Sequence, residues 1–181
     1  MDMKKTYFDV LGIERVYDVD RAELEKRYLD LSRQLHPDRF ARASAKEKLA
    51  SVAKTTELND AYRVLKDDLK RAGYLLKLAG FDLGDDRTAP KVDAMTLMQI
   101  MELNEELAEA RAERDSARVS ALAGRVRAAR EEAWGVVEGA LREGGAEAMR
   151  RAAQAMMLMR YHDRFLEQVD AYEGATAEGV H

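Results

Sequence analysis

Apolar residues recur along this chain at steps of three and four, the period of buried helical faces, and clusters of Gly, Pro and Asp interrupt them at a few points. A short helix is expected over "TYFDVLGI" (6–13) with Tyr7, Val10 and Leu11 inward, ended by Gly12, which tolerates a positive φ. In "YDVDRAEL", Asp20 and Glu23 have the spacing of a capping box; Leu24, Tyr28, Leu31 and Leu35 then follow at steps of 4, 3 and 4. Pro37 ends that helix, because it has no N–H to donate and pushes His36 out of the α region. Ser44 and Glu47 repeat the capping-box spacing. Residues 37–44 therefore read as a connection to a third helix, from Ala45 to about Asp67, which carries Leu49, Val52, Leu58, Ala61, Tyr62 and Leu65. "LKRAGYLLKLAG" is a shorter helical piece ending at Gly80.

"FDLGDDRTAPKVD" (81–93) gathers Gly, an Asp pair and Pro90 between periodic segments and marks a boundary. Three helices are expected beyond it, over 92–113, 116–142 and 146–172, with breaks near Asp115 and at Gly144-Gly145. Gly124, Gly135 and Gly139 either weaken the second of these or let a neighbour pack closely. The fold class expected is all-α: a helical hairpin module over 1–80, a linker over 81–91, a three-helix bundle over 92–173 and a frayed tail over 174–181.

Composition narrows the chemistry. Two prolines in 181 residues and 46% apolar content suit a helical globular protein. With no cysteine there is no disulfide, thiolate metal site or cysteine nucleophile. No apolar run is long enough to span a bilayer, and "MDMKKTYFDV" has no hydrophobic signal core, so the cytoplasm is the expected compartment. Residues 1–80 carry 17 Lys+Arg against 14 Asp+Glu, and residues 81–181 carry 13 against 20. That asymmetry, without a basic patch interleaved with aromatics, points to protein partners and away from nucleic acid.

The tripeptide His36-Pro37-Asp38 invites three readings. As part of a His/Asp hydrolase it lacks a partner constellation, since the nearest hydroxyl, Ser32, lies one turn earlier and no oxyanion hole is recognisable. As a metal corner it fails because His36, His162 and His181 are isolated. Phosphate loops of the GxxxxGK[ST] and GxGxxG types are absent. The third reading is a turn in which Asp38 accepts local N–H bonds and Pro37 sets the bend. The flanks add to it: a helix bearing Arg21, Lys26, Arg27 and Arg33 leads into the tripeptide, and a helix ending "TELNDAYRVL" returns.

"YFDVLGI", a basic second helix, "HPD" and "LNDAYRVL", in that order over residues 6–66, resemble the J-domain, with which co-chaperones stimulate ATP hydrolysis by DnaK-type chaperones. "HPDRF", "RAGYLLKLAGFDL", "MELNEELAEA" and the helical C-terminal part resemble one branch of that family, the HscB-type iron–sulfur co-chaperones. The chain departs from the branch in having Asp68 where members often have Pro, and in lacking the N-terminal cysteine module of some eukaryotic members. The resemblance implies a protein with no catalysis and no cofactor of its own. Its J-domain would recruit an HscA-like DnaK-type chaperone ATPase, and its bundle would deliver an IscU-like iron–sulfur scaffold. Chaperone binding would then fall to His36, Pro37 and Asp38, with Arg21, Lys26, Arg27 and Arg33 steering association to an acidic surface. A general J-protein with another client is the alternative.

Helix geometry speaks to the client side. At about 100° per residue, Thr96, Ile100, Leu103, Leu107 and Ala110 share one sector of the first C-terminal helix, the expected core face. Met98, Met101, Glu102, Glu105 and Glu109 cluster roughly opposite, with Leu97 at the edge. Met98 and Met101 either cover the first module or a neighbouring helix, or form a docking face, in which thioethers adapt to a partner surface and carboxylates select a basic one. The family resemblance carries scaffold binding onto Leu97, Met98, Met101, Glu102, Glu105 and Glu109, and adds Tyr161 in "MMLMRYHDRF".

Overall fold

The structure is a computed structural model that describes residues 5–40, 44–85 and 87–178, without the side chains of Pro37, Asp38 and residues 176–178. Seven α-helices follow in order: α1 (Tyr7–Leu11), α2 (Arg21–Leu35), α3 (Ala45–Leu65), α4 (Asp68–Leu78), α5 (Ala94–Ala112), α6 (Ser116–Glu143) and α7 (Gly145–Glu178). A 3-10 turn, Pro37–Phe40, joins α2 to α3. The fold is all-helical, with no strand among the described residues. Residues 1–75 and 76–181 form two compact units, the division falling inside α4.

In the first unit, local chemistry sets the helix ends. Thr6 and Asp9 form a capping box on α1, and Gly12 closes it in the left-handed region at φ 65°. Ser44 and Glu47 form the expected box on α3. At α2 the box is one-sided. Asp20 accepts from the N–H groups of Ala22 and Glu23, but the Glu23 carboxylate is taken by Arg27 at 2.6 Å, one turn along the same helix. α4 starts at Asp68, with Asp67 accepting from the Lys70 N–H. Asp68 thus occupies the first helical position, where Pro is also well tolerated, so the helix start is kept without the proline.

Phe8, Leu11, Leu24, Leu58, Ala61 and Leu65 are the apolar centre of this unit. The buried residues of α1 are Phe8 and the expected Leu11, not Tyr7. Tyr7 and Val10 are half-buried, and Tyr7 stacks on Tyr74 at 4.5 Å. Tyr28 and Tyr62 stack at 4.1 Å between the antiparallel α2 and α3, and Tyr28 Oη donates to Asn59. Leu49 and Val52, in the N-terminal half of α3, lie in solvent. Arg71 is buried and ties three segments together. Its Nε donates to the Tyr17 carbonyl (2.7 Å), Nη1 to the Leu65 carbonyl (2.6 Å) and Nη2 to Asp68 (2.5 Å).

The second unit is built on the long α6/α7 hairpin. Its turn is Gly144-Gly145, both at positive φ (73° and 83°), which other residues adopt only under strain. Leu107 and Ala110 of α5 pack with Val119, Leu122, Ala123 and Val126 of α6 and Phe165 and Val169 of α7. The glycines inside α6 do not serve close packing: a Cβ at Gly124, Gly135 or Gly139 would meet nothing within 4 Å. α7 continues to Glu178, past the expected end at 172, and residues 179–181 lie outside the described ones.

Candidate functional site

Two places hold the candidate residues, one in each unit. In the first, α2 ends where Pro37 removes a backbone donor, and His36 is extended at φ −57°, ψ 133°. The His36 carbonyl accepts the Arg39 N–H at 3.0 Å and closes the 3-10 turn. The last carbonyl of α2, that of Leu35, accepts the Ser51 hydroxyl of α3 at 3.0 Å. Ser51 is buried, so this bond fastens the turn to the returning helix. Sequence reading missed it; the signal was a hydroxyl on the inward side of α3, one turn ahead of Thr55 and two ahead of Leu58. The His36 side chain is exposed, and those of Pro37 and Asp38 lie outside the described residues.

The basic residues of α2 are exposed but already engaged. Arg21 pairs with Asp68 (2.6 Å), Lys26 and Arg27 with Glu23 (4.0 and 2.6 Å), and Arg33 with Asp30 (3.4 Å). Exposed pairs of this kind contribute about 0–1 kcal/mol, so a partner carboxylate can displace them readily.

On α5, burial fades toward the N-terminus: Leu107 and Ala110 are buried, whereas Thr96, Ile100 and Leu103 are only partly covered. The expected core face therefore holds for Leu107 and Ala110, with Leu103 packed against their cluster while half-buried. Thr96 and Ile100, together with the outer edge of Leu103, line a groove of about 620 Å³ between α5, α6 and α7, whose far side includes Ala129, Ala133, Val136, Ala155 and Leu158. His162, buried at 6% exposure, belongs to the same groove, and its Nδ1 has no hydrogen-bond partner. Burial, helped by the charge of Arg130 and opposed by Asp163, pushes its pKa down.

The opposite face of α5 is open. Met98 and Met101 are 62% and 63% exposed, Leu97 is 38% exposed, and Met95, which the sequence reading passed over, is 72% exposed. Glu102, Glu105 and Glu109 are exposed beside them, Glu102 at the edge where this face meets the groove. Among the described residues Glu102 and Glu105 have no ion-pair partner, whereas Glu109 pairs with Arg118 at 2.9 Å. Five of these residues, Met95, Met98, Glu102, Glu105 and Glu109, recur at steps of 3, 4, 3 and 4, which makes one continuous stripe. Tyr161 sits apart from it, in a shallow depression lined by Leu83, Gly84, Met157, Arg160 and Arg164. Arg160 there donates to the Leu83 carbonyl.

These arrangements suit binding. Among the described residues there is no group of three His, Asp or Glu side chains placed to hold a metal, and no helix is long and apolar enough to cross a membrane.

Comparison with known proteins gives the same division. Residues 6–74 match the DnaJ domain, and residues 92–170 match the family described as the HSCB C-terminal oligomerisation domain. The co-chaperone protein HscB homolog of a Shewanella strain is 43% identical over 105 residues, 58% of this chain and 60% of that protein; the match thus spans about three fifths of the relative. The crystal structure of human co-chaperone protein HscB is similar over 96% of this chain and 84% of its own, at 32% identity and a TM-score of 0.69. Chaperone HscB from Vibrio cholerae is similar over 94% of this chain and 98% of its own, at 29% identity and a TM-score of 0.65.

Proposed function

Since the chain belongs to the HscB co-chaperone family, we propose that it stimulates the ATPase of an HscA-like, DnaK-type chaperone and delivers to it an IscU-like iron–sulfur scaffold. It works in the cytoplasm as an adaptor, without catalysis of its own.

The observation that carries this reading is the pairing, in one chain, of a DnaJ-type hairpin tip and an exposed methionine–carboxylate stripe on the HSCB-type bundle. In the first unit, the turn at His36-Pro37-Asp38 is presented by two antiparallel helices and pinned by Ser51. The chaperone's acidic surface exchanges partners with Arg21, Lys26, Arg27 and Arg33, which steer its approach. Docking at the turn favours the hydrolysing state of the chaperone only so far as the contacts are stronger in that state. In the second unit, Leu97, Met98 and Met101 adapt to the scaffold's apolar surface while Glu102, Glu105 and Glu109 select basic residues at its rim. Tyr161 contributes a separate aromatic contact on α7.

Steady-state ATPase of the chaperone, with this protein and the scaffold added separately and together, tests the reading. Synergy of the two is the expected result. Stimulation by this protein without scaffold synergy would leave a J-protein with another client, and no stimulation would remove the chaperone assignment.

A further inference from the structure

The groove beside the N-terminal half of α5 has walls, a polar group and a charged rim that the stability of the bundle does not call for. Along α5 it runs from Thr96 to Glu106, about 15 Å of helix at about 1.5 Å per residue, or roughly three turns. Ile100, Val136 and Leu158 give it apolar walls, and Ala129, Ala133 and Ala155 line its far side with side chains too short to fill the space of about 620 Å³. His162 lines it as well, a side chain at 6% exposure whose Nδ1 has no hydrogen-bond partner among the described residues. A polar nitrogen left unpaired in an apolar wall is a cost that an occupant with a hydrogen-bonding group can relieve. Three carboxylates stand at the mouth. Glu106 is held by Arg125 at 3.2 Å, whereas Glu102 on α5 and Glu132 on α6 have no ion-pair partner among the described residues.

We propose, on the client reading above, that this groove is a second client subsite. It takes a short segment of the scaffold, apolar at its centre and basic at its flanks, while the rest of the scaffold meets the methionine–carboxylate stripe. Continuity argues for that occupant. Met95, Gln99, Glu102 and Glu106 recur at steps of 4, 3 and 4 and form the border between the two surfaces: Met95 and Glu102 belong to the stripe, and Gln99, Glu102 and Glu106 line the groove. A protein seated on the stripe therefore reaches the mouth of the groove without crossing a gap. Charge argues the same way. On both surfaces apolar side chains lie beside carboxylates without partners, so both select apolar residues flanked by Lys or Arg. Three turns of α5 facing a wall of alanines leave room for an amphipathic helix, a form in which such segments enter hydrophobic grooves.

The test uses the full chain with substitutions on α6 alone, which leave every residue of the stripe in place. Glu132→Lys reverses the charge of the far rim at an exposed position, and Ala129→Leu fills the groove from a half-buried one. Lys and Leu are strong helix formers, so α6 is retained. In calorimetry with the scaffold each variant should weaken binding about tenfold, the loss in Glu132→Lys being larger at low salt. In NMR spectra of the wild type, saturating scaffold should move the His162 imidazole signals. Chaperone stimulation without scaffold should be the same in all three proteins. Wild-type affinity in both variants, or His162 signals that stay in place at saturation, would overturn the proposal while leaving the client reading in place. Scaffold affinity that survives Met98→Ala with Met101→Ala would sink that reading itself. Loss in Glu132→Lys of a wild-type self-association seen by sedimentation, with scaffold affinity kept, would also overturn the proposal and assign the groove to a second copy of the chain.

Discussion

Arg21, at the start of α2, donates to Asp68, at the start of α4, across 2.6 Å although 47 residues separate them. Asp68 also takes the buried Arg71 guanidinium, so one carboxylate fastens two helix starts and the Tyr17 loop. Asp68→Ala should cost about 1–3 kcal/mol in urea denaturation, because Arg71 is left short of a partner. Asp68→Pro should lose a similar amount while keeping α4, which separates pairing from helix initiation.

Acid titration checks the same pair. Burial opposes ionisation of Asp68, yet hydrogen bonds and charge from Arg71 and Arg21 outweigh it and hold its pKa below the ordinary value. A carboxylate lowered on folding stabilises above its unfolded pKa of about 3.9, and that stabilisation disappears as pH falls through the folded value. The stability gap between wild type and Asp68→Asn should therefore close in strong acid.

Ser51→Ala removes the donor to the last carbonyl of α2. A loss of about 1 kcal/mol is expected by thermal or chemical melting. If the bond positions the turn, chaperone stimulation should fall as well; full stimulation with lowered stability would assign Ser51 to stability alone.

Gly124, Gly135 and Gly139 lie inside α6 with open space where a Cβ would stand. Each Gly→Ala change should stabilise by about 0.4–1 kcal/mol, mainly by restricting the unfolded chain. Differential scanning calorimetry of the triple variant should show the increments adding, and a fall in Tm would contradict the open environment.

His162 gives the bundle a pH dependence of the same sign, at higher pH. With its pKa pushed down by burial, the unfolded state binds the proton more readily, so stability falls as pH drops below about 6.5 toward the folded pKa. Asp163, paired with Arg130, is its charged neighbour on α7; Glu102, Glu106 and Arg125 border the groove from α5 and α6, along with Glu132. His162→Phe should flatten the urea midpoint between about pH 7 and 5. An unchanged slope would assign the dependence to those carboxylates.

What the sequence made legible is what short-range physics decides. The Ser44–Glu47 box, the Gly12 cap, the stop at Pro37 and the break at Gly144-Gly145 depend on residues within a turn of each other, and each is present. The order of elements that resembles a J-domain could also be read from local motifs. The Ser51 and Arg71 bonds join residues 16 and 54 positions apart and leave no periodic trace. Leu49 and Val52 fit a helical apolar pattern as well as Leu58 does, and only the extent of α2 and α1 decides which are covered. Thr96 and Ile100 met a groove instead of a core for the same reason: periodicity names a face, while the opposing helices determine whether it closes.

The client assignment stands or falls on α5. Met98→Ala with Met101→Ala removes side chains more than half exposed in the free protein, so folding stability should stay within about 0.5 kcal/mol of wild type. In a complex the same thioethers would be desolvated, and truncating both should weaken scaffold binding about 10- to 100-fold by calorimetry. Charge reversal at Glu102 and Glu105 should also weaken it, with the larger loss at low salt, because these carboxylates have no partner to release among the described residues. Basal stimulation of the chaperone should be unchanged in both variants, since the turn lies in the other unit. His36→Gln should do the reverse, abolishing stimulation while scaffold affinity is kept. Unchanged scaffold affinity in the methionine variant would remove the client assignment and leave the stripe on α5 to another partner.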